Sequence, residues 1–164
     1  MGVTQKIGKL GEELVAMFLM KRGYRIIDRN YRRPWGELDI IAEREGKIHF
    51  VEVKAVSASS TKSLEPTSLH YRPHTLLKRL RVVTRETSYG NTARINNPVP
   101  RKDSYRAEDN VSTSKIKRLG RIIQTYLLHK SVSDETGWQC DVATVSIDAG
   151  NRVARVNLIE DVIL

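Results

Sequence analysis

The turn signal Glu45-Gly46-Lys47 sits between two strand-like runs, GELDIIAE and IHFVEVKAV. Their β-branched and aromatic content reads as strand, and so short a connection folds them into an antiparallel hairpin. A hairpin brings its two far ends together, and here both are charged. Glu37 and Asp39 lie at the entry to the first run, Glu52 and Lys54 at the exit of the second. Side chains alternate along a strand, so Glu37 and Asp39 share one face, as do Glu52 and Lys54. Pairing about the turn sets Asp39 within a few residues of Glu52 across the ladder. Charges in such places are costly unless paired or bound to metal. Two close carboxylates also raise one pKa unless a cation sits between them. Mg²⁺ suits the case, being a hard ion held by one or two carboxylates with water and phosphate; Mn²⁺ is its substitute.

The Glu-x-Lys pattern occurs at Glu45-Gly46-Lys47 and again at Glu52-Val53-Lys54. About one such triplet is expected by chance in a chain this long, so position carries the information. The first lies in a polar turn. The second is anchored between IHFV and AV.

Around the hairpin the chain alternates helix and strand. Ile7, Leu10, Leu14, Met17 and Phe18 recur at helical spacing from Thr4 to Lys21, with Thr4 as cap and Gly23 as stop. YRIIDRNYR reads as the first strand. Residues 57–110 are rich in Ser, Thr, Asn, Arg and Pro, an inserted basic loop or small helical segment in which HTLLKRLRVVTRET fits a basic amphipathic helix. In STSKIKRLGRIIQTYLLHK, Ile116, Leu119, Ile122, Ile123, Tyr126 and Leu127 form an apolar stripe, and Lys115, Lys117, Arg118 and Arg121 take the remaining surface. WQCDVATVSID and RVARVNLIED are two strands around Gly150-Asn151. The expectation is one domain over residues 1–164, an α/β sandwich with a mixed sheet.

Charge narrows the partners. With 28 Lys and Arg against 19 Asp and Glu, the net charge of +9 attracts polyanions, chiefly nucleic acid or an anionic membrane surface. No run of about 18 apolar residues offers a membrane span, and the N-terminal segment has charges where a signal peptide needs an apolar stretch. The single cysteine, Cys140, allows no internal disulfide. A soluble protein of the cytoplasm is expected. The Lys115, Lys117, Arg118 and Arg121 face is either solvated charge or a surface that tracks phosphates.

Blander readings exist for each residue. Glu12 and Glu13 suit solvated pairs with nearby lysines. Asp39 could be satisfied by backbone donors, and Glu52 with Lys54 could be an exposed ion pair. His70 and His74 are four apart, but Pro73 opposes the helix that would align them on zinc. Trp35 fits base stacking or packing, and Trp138 and Cys140 fit core or strand-face positions.

The blocks GEELVAMFLMKRGYRIIDRNYR, GELDIIA, FVEVK, KIKRLGRIIQTYL and CDVATV resemble, in order, those of the YraN family. That family is similar to archaeal Holliday-junction resolvases and the wider PD-(D/E)xK nucleases. The resemblance implies a restriction-endonuclease-like sandwich, its mixed central sheet flanked by helices. It also implies a Mg²⁺-dependent endonuclease acting on structured or branched DNA, as a homodimer. It places acidic metal ligands on Asp39 and Glu52, with the Val53 carbonyl as a third donor, and the lysine on Lys54. The helical glutamate of the resolvase-like branch falls on Glu12, which would hold a water ligand of the metal or a second ion. Glu37 lies in the family's block without an assigned role. Basic residues usually follow the lysine in that family, whereas this chain reads VEVKAVSAS. A nucleic-acid-binding module without turnover is the alternative, and RNA is a further partner class.

Overall fold

Apolar residues at helical spacing wind Val3–Lys21 into helix α1. The computed structural model describes residues 2–57, 81–86, 113–148 and 150–162. Thr4 is not the cap. The helix starts earlier, with Gly2 as N-cap, and the Gln5 side chain reaches back to the cap residue: Gly2 N–H donates to Gln5 Oε1 at 3.2 Å. At the other end Gly23 takes φ +83°, the left-handed conformation that ends a helix without a Cβ penalty.

Strands β1 (Arg25–Arg33), β2 (Gly36–Arg44) and β3 (Lys47–Ser57) follow as an antiparallel meander. Glu45 and Gly46, at φ 53° and 77°, make the two-residue turn between β2 and β3, the twist-matched kind that strand pairs prefer. Strand β4 (Arg81–Glu86) comes next, then helix α2 (Thr113–His129), β5 (Trp138–Asp148) and β6 (Val153–Ile159). The six strands form one mixed sheet in the order β1-β2-β3-β5-β6-β4, with β3/β5 and β4/β6 parallel.

The basic amphipathic helix expected over residues 74–87 is corrected at its C-terminal half. Residues 81–86 are a strand whose Val82, Val83 and Thr84 run parallel to Ala154, Arg155 and Val156. Three β-branched residues in a row favour the pleated ladder over a helix. The N-terminal half of that stretch, the rest of the insertion, His70 and His74 lie outside the described residues.

Strand alternation divides the core in two. Leu10, Leu14, Val15, Phe18 and Leu19 of α1 pack on Ile40, Val51, Ala143, Val145 and Val156. On the other face Leu119, Ile122, Ile123 and Tyr126 of α2 pack on Ile41, Phe50 and Cys140. Helices thus cover both faces of a mixed sheet. Among the described residues no helix is long and apolar enough to cross a membrane.

Candidate active site

The hairpin register decides what meets at its open end. The paired ladder ends with Ile40 opposite Val51, and Asp39 and Glu52 are the next residues out on their two strands. At Asp39 a side chain joins the ladder: its Oδ2 accepts the Val53 backbone N–H at 2.8 Å. The N–H and C=O of a strand residue turn to the same neighbour, so the Val53 carbonyl is directed toward the Asp39 side.

Burial raises the Asp39 pKa most, and the Glu52 carboxylate raises it further. The Val53 N–H opposes them, while Glu12 and Glu37 add to the rise, leaving Asp39 at about 7. Three carboxylates, Glu12 of α1, Glu37 of β2 and Glu52 of β3, therefore act on Asp39. Glu52 goes the other way. Burial alone would raise its pKa, but the ammonium groups of Lys115 and Lys54 hold it below the usual value. Both sit on Glu52 Oε1, Lys115 at 2.5 Å and Lys54 at 3.0 Å. The Glu52 side chain is only 14% exposed, a setting in which an unpaired charge would be costly.

Helix α1 reaches this place because of Gly11. A Cβ there would lie 2.5 Å from Ala55 Cβ, so only glycine lets the helix settle against β3 at that point. Glu12, the next residue, receives the Asn30 side-chain amide on Oε2 at 3.1 Å. Asn30 itself takes φ 54° within β1, a conformation asparagine tolerates. Glu12, Glu13, Lys9, Arg29, Asn30 and Arg32 line a groove of about 490 Å³.

Not every candidate presents a free group. Glu37 accepts from Arg32 Nε and Nη2 at 2.8 and 2.6 Å, an ion pair on the rim of the site. Lys117, Arg118 and Arg121 stand exposed on α2. Lys115, grouped with them in the sequence, turns inward to Glu52. The signal for this was in the helix: Lys115 falls on the line of Leu119, Ile122 and Tyr126, one turn before the buried residues begin.

The donors suit a hard ion in kind: carboxylate and carbonyl oxygens, with one Asp39 oxygen engaged by the backbone and ammonium groups standing where positive charge is needed. Among the described residues, no three His, Cys, Asp or Glu side chains gather closely enough to hold a metal ion by themselves. Mg²⁺ does not require three, since it keeps several waters. Cys140 is no ligand. It is buried, and burial with Asp141 and Glu52 nearby pushes its thiol up to about 12.

A second buried polar group escaped the sequence reading. Asp141, fully buried, pairs with His49 Nδ1 at 2.8 Å and accepts from Gln139 Nε2 at 2.7 Å and the Asp161 N–H at 2.9 Å. These contacts tie β3, β5 and the segment after β6 together. Only a fixed parallel register brings residues this distant in sequence into contact, and no local spacing reports it.

Residues 11–83 match the model described as uncharacterised protein family UPF0102. A UPF0102 protein of Wolinella succinogenes is 56% identical over 48 residues, covering 29% of this chain and 44% of that protein. One from Trichlorobacter lovleyi is 55% identical over 52 residues, 31% of this chain and 41% of the relative. One from Dictyoglomus thermophilum is 52% identical over 51 residues, 31% and 43% respectively. The matched segments span less than half the length of each of these relatives. The match over residues 11–83, which carry the second half of α1 and the whole carboxylate hairpin, makes this part of the chain similar to the UPF0102 family, in line with the YraN family that its motif blocks resemble.

Proposed function

We propose that this protein is a Mg²⁺-dependent endonuclease that hydrolyses phosphodiester bonds in structured or branched DNA. One observation carries the reading: Asp39 and Glu52 lie one position beyond the paired residues Ile40 and Val51, near enough that burial and the Glu52 charge drive the Asp39 pKa to about 7. Two carboxylates held together against their repulsion are a feature a divalent cation would relieve.

In this reading Asp39, Glu52 and the Val53 carbonyl hold the ion, with Glu12 acting through water. The bound metal supplies charge neutralisation and a more acidic water. The chain's own residues do the rest. Lys54, beside Glu52, orients the attacking water or steadies charge developing on the phosphate. Glu37 with Arg32 fixes the rim. Lys9, Arg29 and Arg32 offset the acids of the groove, and the exposed Lys117, Arg118 and Arg121 offer phosphate contacts. A homodimer would suit the cutting of two strands.

The alternative, a nucleic-acid-binding module without turnover, rests on the net charge of +9, which suits a polyanion whether or not the site turns over. A nicking assay with Mn²⁺ over four-way junctions, duplex and hairpin RNA separates the readings. Nicking that disappears in Asp39→Ala and Lys54→Ala is expected. Full cleavage by either variant refutes the site, and DNA binding that persists in EDTA without nicking under any metal identifies the binder. Tighter binding to hairpin or single-stranded RNA than to junctions makes RNA the partner.

A further inference from the structure

The Lys115 ammonium has no part in the motif that defines the hairpin, yet it makes the shortest contact to Glu52. Its 2.5 Å approach to Oε1 is closer than the 3.0 Å of Lys54, and both bind the same oxygen. Two like charges on one oxygen of a largely buried carboxylate repel each other, so the arrangement persists only because Glu52 needs positive charge. Asp39 is contacted by neither lysine in this arrangement; its bonded partner is the Val53 N–H. The pair of carboxylates is thus neutralised at one end only.

The two lysines are also placed differently. Lys54 is fixed to the strand that carries Glu52. Lys115 reaches in from the first turn of α2 on a flexible four-carbon stem, and its side chain is 29% exposed. A rotation about its side-chain bonds carries the ammonium out of the site without moving the helix, whose packing rests on Leu119, Ile122, Ile123 and Tyr126.

We propose that Lys115 is a resident counter-ion, held on Glu52 in the place a divalent cation takes and displaced when the metal binds. Its ammonium then swings to the substrate's phosphate oxygens. Lys115 is a positioning residue in the first state and a phosphate contact in the second. The inference rests on the metal site proposed above, and it explains why α2 brings a lysine into line with its buried face.

The test is Mn²⁺ affinity, read by the electron paramagnetic resonance signal of free Mn²⁺, for the full-length wild type and three variants. Removing a competing positive charge should tighten binding, so Lys115→Gln should bind Mn²⁺ about tenfold more tightly. Lys115→Arg, which keeps the charge, should stay near wild type. Lys115→Met preserves the packing of the stem and should match Lys115→Gln, which covers a loosened helix in the first variant. Unchanged or weaker affinity in both neutral variants overturns the proposal and leaves the metal site standing. A wild type that binds no Mn²⁺ overturns both, so the two failures are distinct.

Discussion

At the scale of single residues, the site is expensive to keep. The folded pKa of Asp39, about 7, lies above its ordinary 3.8, so the native state holds a proton that the unfolded chain releases. Stability from this group is therefore intact below about pH 4, falls as pH rises toward 7, and stays lost above it. Glu52 has the opposite sign: its lowered pKa contributes stability above the ordinary carboxylate range that is lost as pH falls through the folded value. Asp39→Asn keeps an acceptor for the Val53 N–H and removes the repulsion. We expect it to stabilise the metal-free protein by about 1–3 kcal/mol at pH 8 and by nothing at pH 4; urea denaturation at both values checks this. Equal stability of variant and wild type at pH 8 would count against the crowded-carboxylate account. The sequence made Asp39, Glu52 and Lys54 legible because strand alternation and one short turn fix their faces. Lys115 was legible as a basic residue but not as a site residue, because its partner comes from another element.

Elements bring these residues together through packing that tolerates little change. The close approach of α1 at Gly11 is the clearest case. Gly11→Ala should cost about 1–3 kcal/mol by overpacking against Ala55, although alanine is the better helix former. Thermal melting reports the cost, and a stabilised variant would show that α1 does not sit so close. Tyr126 of α2 is buried and meets Tyr31 and Phe50 edge-on, with ring centroids at 5.0 and 5.6 Å. Tyr126→Ala should lose about 3–5 kcal/mol, read by the same melting curves. The hairpin and both helices were visible in the sequence because their signals are local: a turn, a period, an apolar stripe. Strand β4 was not, since LLKRLRVV also has helical spacing and its partner β6 lies near the far end of the sequence. The helix start shifted for a smaller reason: Gly2 caps it, with the Gln5 side chain reaching back to the Gly2 N–H.

On the scale of the whole molecule, the net charge of +9 and the carboxylate site pull in opposite directions. Basic residues outside the site attract a polyanion, whereas the acids would repel it without a cation between. If Lys117 and Arg121 contact phosphates, replacing either with alanine should lower the slope of log affinity against log salt by about one per lost contact. Junction binding measured across salt concentrations would show this, and an unchanged slope removes that face from the interface. The mixed α/β sheet expected from element order agrees with the six-stranded sheet and the helix packed on each of its faces. The parallel pairing of β4 with β6 and the His49–Asp141 contact depend on long-range register, which no single stretch of sequence encodes. The most direct measurement is isothermal titration of Mn²⁺ into the protein at pH 7.5, beside Asp39→Asn and Glu52→Gln. Saturable binding by the wild type that is lost in both variants is the predicted result. Absent binding, or equal binding by all three proteins, would contradict the claim that Asp39 and Glu52 together hold a divalent ion.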